Sequence, residues 1–197
     1  MSGATAETHR IGRPRSPEAD EAIRNATVDL LATVGYANLT MSGVASRAGV
    51  STATLYRRWR SKLDLVVDVL GARAEENPVP DTGSLEGDCR AILQTLVDKA
   101  RTTRTTPLLA GLVGEIGRNP DLASALRAHL IGPRRAALND VFARAKARRE
   151  LRDDVDVSVA GDLLFGPLYH RLLITGEPVT TRTAEKLTDL LMRAVAR

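Results

Sequence analysis

The stretch "VASRAGVSTATLYRRW", residues 44–59, leaves this chain few ways to fold. Gly49 separates two segments that each carry an apolar anchor but are too short to persist alone, since isolated helices below about 12 residues are marginal in water. They form only if wedged against a shared core. Ala45 lets two helices approach, Gly49 supplies a turn, and Leu55 anchors the second helix. Ser51 stands where an N-cap is needed, and Val50 and Leu55 occupy the two positions of a hydrophobic staple. The spacing predicts helices over about 41–48 and 52–58, joined as a helix-turn-helix.

Helical periodicity also dominates the rest of the chain, and strand-like alternation is scarce. The expected fold is all-α, with about nine helices. The first starts with Ser16 as N-cap and Pro17 at its first position, carries Glu18, Asp20 and Glu21 in its first turn, and ends at Gly35. Ser61 and Asp64 form a capping-box pattern that opens a fourth helix, which leads out of the front module. The "NPVPDTGS" segment, residues 77–84, has the content of a loop. Further helices are expected at about 85–104, 107–118, 120–148, 155–175 and 181–196. Pro133 and Pro167 fall inside two of them and should bend or split them. The expected division is residues 1–64, a helix-turn-helix module with a basic arm, and residues 65–197, a second helical module.

Charge is distributed unevenly. The chain carries a net +4, and residues 65–197 hold 19 Arg or Lys against 18 Asp or Glu. Between residues 44 and 62, Arg47, Arg57, Arg58, Arg60 and Lys62 occur with no acid among them. Such a window is an electrostatic footprint for a polyanion. The alternative is a solvated basic hairpin, but the turn, the staple and the docking residues accompany the charge. The lone Cys89 excludes an intramolecular disulfide framework, and no run suits a signal peptide or a bilayer span, so a cytoplasmic protein without membrane attachment is expected. No nucleophile with a base, phosphate loop, paired metal ligands or dinucleotide fingerprint is legible, so neither an enzyme nor a cofactor or metal is expected.

At about 100° per residue, Leu55 and Trp59 share the docking face of the short second helix, and Ala53, Tyr56, Arg57 and Arg60 lie opposite. A major groove admits a helix. Arg suits bidentate contact with guanine, and Thr and Ala methyls suit thymine methyls, which makes Thr52, Ala53, Thr54 and Arg57 candidate base readers. Thr40, Ser42, Tyr56, Arg58 and Lys62 are candidate phosphate contacts, and Arg13 and Arg15 lie on an arm suited to an adjacent minor groove.

The run "TMSGVASRAGVSTATLYRRWRSKLDLV", residues 40–66, with the preceding helix and the "GRPR" arm, resembles the TetR-type transcriptional repressors. Ala53 stands where that family often has glycine, and Trp59 where phenylalanine is usual. The resemblance implies that Thr52, Ala53, Thr54, Tyr56, Arg57 and Arg58 face double-stranded operator DNA and that Lys62 holds a phosphate. It also implies a rear module that dimerises and binds a small-molecule effector, giving a repressor released from a palindromic operator. "LLFGPLYHRLLITGEPVT", residues 163–180, is similar to the penultimate helix and following turn of one TetR subgroup. The alternative is a regulator whose rear module only dimerises or binds a protein.

Amphipathic stripes place Leu164, Leu168 and Leu172 on one helix and Leu187, Leu190, Leu191 and Val195 on the last, and these two helices are the expected homodimer interface. The same stripes could instead complete the core of one chain. Expected pocket residues are Leu96, Leu112, Glu115, Ile116, Leu126, His129, Phe142, Phe165 and Tyr169.

Overall fold

The structure is a computed structural model and describes residues 17–75, 79–101 and 105–197. The described residues are helical apart from turns and one isolated antiparallel bridge, Leu151 to Ala196. The helices are α1 (Pro17–Asn38), α2 (Met41–Ala48), α3 (Thr52–Tyr56), α4 (Lys62–Glu75), α5 (Leu85–Ala100), α6 (Thr105–Ile116), α7 (Pro120–Leu126), α8 (Gly132–Ala147), α9 (Val157–His170) and α10 (Thr181–Val195). Two π-helical turns, Arg127–Ile131 and Arg171–Thr175, follow α7 and α9.

Local signals and structure agree at most boundaries. Thr40, Ser51, Ser84, Asn119, Asp156 and Thr180 all cap helix N-termini with their side chains. Such caps satisfy amide donors that the helix itself cannot. The expected end at Gly35 is a kink instead. Gly35 adopts φ 75, ψ 171, a conformation open in practice only to glycine, and helix resumes to Asn38. The expected 120–148 helix runs without a break from α7 through the π turn into α8. Pro133 offers no amide to the preceding turn, and Gly132 instead bonds five residues back to the Arg127 carbonyl. A Cβ at Gly132 would lie 2.9 Å from that oxygen, so only glycine fits. Pro167 lies within α9, with the second π turn one helical turn beyond it.

Two apolar cores organise the molecule. The first joins Ile23, Val28 and Leu31 of α1, Val44 and Ala45 of α2, Leu55 of α3, and Leu65, Val66 and Val69 of α4 to Leu108 and Leu112 of α6 and Leu122 and Leu126 of α7. The second joins Leu85, Cys89, Leu93 and Val97 of α5, Leu138 and Phe142 of α8, Leu164 and Leu168 of α9, and Leu191 and Val195 of α10. Burial in the second core pushes the Cys89 thiol up to about 12. The first core therefore continues past the fourth helix into α6 and α7, and α1 packs along α6.

A polar network adjoins the second core around the first turns of α5. The Asp88 carboxylate, fully buried, accepts hydrogen bonds from Thr82 N at 2.6 Å and Thr82 Oγ1 at 2.8 Å, with Arg144 Nη2 at 3.4 Å. Glu150 accepts from Leu85 N at 2.6 Å and from Arg148 Nε at 2.7 Å. The carboxyl of Glu150 is held below its ordinary 4.5 chiefly by the Arg148 hydrogen bond.

Candidate nucleic-acid interface

The short helix α3 is held from behind. Leu55 is fully buried, a contribution of about 2 kcal/mol for a leucine side chain. Val50 and Trp59 pack against the same core, and Gly49 ends α2 in the left-handed region at φ 67. Its amide returns to the carbonyl of Ser46, and that of Val50 to Ala45. Ser51 Oγ caps α3 by accepting from Thr54 N at 3.2 Å. Helical structure ends at Tyr56, two residues before the expected end, so Arg57 to Arg60 form a turn into α4. Trp59 is half-buried, and its Nε1 donates to Asp68 Oδ2 of α4 at 3.0 Å.

The opposite face is open. Thr52, Ala53, Tyr56, Arg57 and Arg60 are exposed, Tyr56 by 56%, and Thr54 is half-buried, its hydroxyl 2.9 Å from that of Ser51. Thr40 is exposed but engaged, since its Oγ1 accepts from Gly43 N at 3.0 Å to cap α2. The exposed Ser42 hydroxyl lies 3.3 Å from it. Arg13 and Arg15 lie outside the described residues.

Not every cation of the acid-free window is free to meet a polyanion. Arg47 reaches Asp29 of α1 at 3.2 Å. Lys62 Nζ donates to the carbonyls of Tyr36 at 2.9 Å and Ala37 at 3.3 Å and sits 4.5 Å above the Tyr36 ring centre. Two of its three donors are thus used on the end of α1, leaving one for a phosphate. Arg58 departs from the expectation of an open phosphate contact, for it is ion-paired with Asp20 in the first turn of α1 and its side chain is only 17% exposed. Arg57 and Arg60 have no ion-pair partner among the described residues. The counter-charges Asp20 and Asp29 escaped sequence reasoning because each lies on another helix, where no local spacing links it to its partner.

The rear module departs further from expectation. Leu164, Leu168, Leu191 and Val195, expected at a dimer interface, are buried in the chain's own second core. Their stripes face inward, and periodicity alone could not choose between the two faces. Leu172 and Leu187 are half-buried. Leu190 of the expected stripe does stand exposed on α10, and α9 exposes Val159 and Leu163, each of the three more than half accessible. Most of the expected pocket residues are divided between the two cores. Leu112 and Leu126 belong to the first core and Ile116 packs against it; Phe142 belongs to the second core, and Leu96 and Phe165 pack against that one. Glu115 is half-buried and His129 exposed. The Phe165 and Tyr169 rings stack at 6.3 Å, and burial pushes the Tyr169 hydroxyl up. A groove of about 450 Å³ lies elsewhere, lined by Gly166, Pro167, His170 and Arg171 and by Thr180, Arg182, Thr183, Lys186 and Leu187.

No helix among the described residues is long and apolar enough to cross a membrane, and no cluster of metal-ligating side chains is present among them.

Two family models match this chain. Residues 23–69 match "Bacterial regulatory proteins, tetR family", and residues 79–191 match "Tetracyclin repressor-like, C-terminal domain". The chain is 35% identical over 186 residues to the HTH-type transcriptional regulator YdeS of Bacillus subtilis, covering 93% of this chain and 91% of that one. It is 30% identical over 185 residues to the DNA-binding transcriptional repressor TetR of Mycobacteroides abscessus, covering 93% and 96%. Among solved structures, the TetR family transcription regulator SCO0332 superposes with a TM-score of 0.72 at 35% identity, over 91% of this chain and all of the other. These relatives are regulators of transcription rather than enzymes.

Proposed function

This chain belongs to the TetR family of DNA-binding transcriptional regulators, and on that premise we propose that it is a homodimeric repressor of a near-palindromic operator, released when a small molecule binds its rear module. The repressor role is supported by the Mycobacteroides abscessus relative. Residues 1–64 act as the reader and residues 65–197 as the regulatory and dimerising module. The observation that carries the reading is the exposed face of Thr52, Ala53, Tyr56 and Arg57 opposite the buried Leu55. Thr52, Ala53, Thr54 and Arg57 read base edges. Tyr56, Thr40, Ser42 and the third donor of Lys62 contact phosphates, with Arg13 and Arg15 on the arm.

Dimerisation uses the outward apolar side chains Val159, Leu163 and Leu190, which a second copy of the chain covers. A two-fold dimer then sets two α3 helices about one DNA turn apart, roughly 34 Å. A ligand acts only if it prefers a spacing of those helices that DNA does not accept. The dispersal of the expected pocket residues between two cores favours a second reading, a rear module that dimerises without an effector.

Selection of bound fragments from a random duplex pool tests the reader. Enrichment of a palindrome by the parent, lost in Tyr56→Ala, supports it; enrichment of no sequence by folded, dimeric protein refutes it. Native mass spectrometry of the purified protein separates the two rear-module readings, since retained small-molecule mass supports an effector.

A further inference from the structure

The turn after α3 holds two neighbouring arginines in different environments. Arg57 is exposed and lacks an ion-pair partner among the described residues, whereas the Arg58 side chain is folded back onto α1, where it meets the Asp20 carboxylate. The two contacting atoms, Arg58 Nη1 and Asp20 Oδ1, are both shut off from solvent. A carboxylate in the first turn of a helix ordinarily faces the free amides there, but Asp20 spans from α1 to the exit of the reading helix. The pair is therefore a tertiary strut. The side chains are 17% and 29% exposed, so screening by salt is only partial, and a phosphate that captured Arg58 would leave the carboxylate without its partner.

We propose that Asp20 is a positioning and specificity-determining residue. It withholds Arg58 from the phosphate backbone and uses it to fix the angle of α3 on α1, so that base reading outweighs non-specific attraction. This inference rests on the DNA-reading function proposed above. Of the cations in the acid-free window, only Arg57 and Arg60 then remain wholly available to the duplex, and the electrostatic, sequence-independent share of binding is correspondingly small.

The test measures binding of the dimer to a random duplex and to the selected operator across a salt series, for the parent, Asp20→Asn, Arg58→Ala and the double variant. Asp20→Asn frees a guanidinium for phosphate, so the slope of log affinity against log salt steepens by about 0.9 on both duplexes, and the ratio of selected to random affinity falls. Arg58→Ala leaves the slope at the parent value and also lowers the ratio, because the strut is lost without adding a phosphate contact. The double variant has the parent slope. Arg58→Lys, which can still reach Asp20, restores part of the ratio. A shallower slope in Arg58→Ala would mean that Arg58 already grips a phosphate, and an unchanged slope in Asp20→Asn would mean that Asp20 withholds nothing; either overturns the proposal. If Arg58→Ala does not fold, the slope of Asp20→Asn decides by itself. Selective binding by the parent with unchanged variants overturns this inference alone, whereas no selective binding by the parent overturns the reader function and the inference with it.

Discussion

Arg57 is the residue on which sequence discrimination should depend most. It is exposed, lacks an ion-pair partner among the described residues, and stands at the C-terminal end of α3. Arg57→Ala is expected to cost about 1–3 kcal/mol of operator affinity and to relax preference at one position per half-site, as read by repeating the selection with the variant. Equal weakening on every sequence would reassign it to the backbone. Its exposure was legible because the helical period sets it opposite Leu55. The fates of Arg47, Arg58 and Lys62 were not. Each is decided by a group on α1, at Asp29, at Asp20 and at the carbonyls of Tyr36 and Ala37, and proximity along the chain says nothing of those encounters.

Among elements, caps and turns were legible and helix faces were not. Ser51, Gly49 and Ser61 act where local chemistry predicts, because a cap involves only neighbours along the chain. The stripe of Leu164 and Leu168 was equally visible, but which neighbour it meets depends on how α5, α8 and α10 assemble around it. The start of α5 offers a direct test of assembly. Its Leu85 amide is received by Glu150, beyond the end of α8, and this carboxyl titrates below its ordinary 4.5. A group whose folded value is depressed stabilises the fold above its unfolded value and loses that contribution as the pH falls through the folded one. Denaturant melts between pH 7 and 3 should show the parent losing stability on the acid limb. Glu150→Gln should start less stable and lose less there, and parallel acid limbs would remove Glu150 from the account.

For the whole molecule, the outward face of α9 and α10 predicts assembly. Leu163→Asp combined with Leu190→Asp is expected to convert a dimer to a monomer in sedimentation while leaving helical content intact, because both side chains stand outside the cores. Operator affinity should fall steeply with it, since one half-site is then read alone. A variant that remains dimeric would move the interface to another face.

The first core, shared by α1 to α4 with α6 and α7, also bears on what can be cut from this protein and grafted elsewhere. A fragment ending at α4 would leave without Leu108, Leu112, Leu122 and Leu126, and with Leu65, Val66 and Val69 stripped of part of their packing. A portable reading head needs α6 and α7 as its foundation, although α5, which belongs to the other core, lies between them and α4 along the chain. The DNA-reading end cannot be cut off after α4, and a chimera that respects its packing must carry the intervening helix or bridge across it.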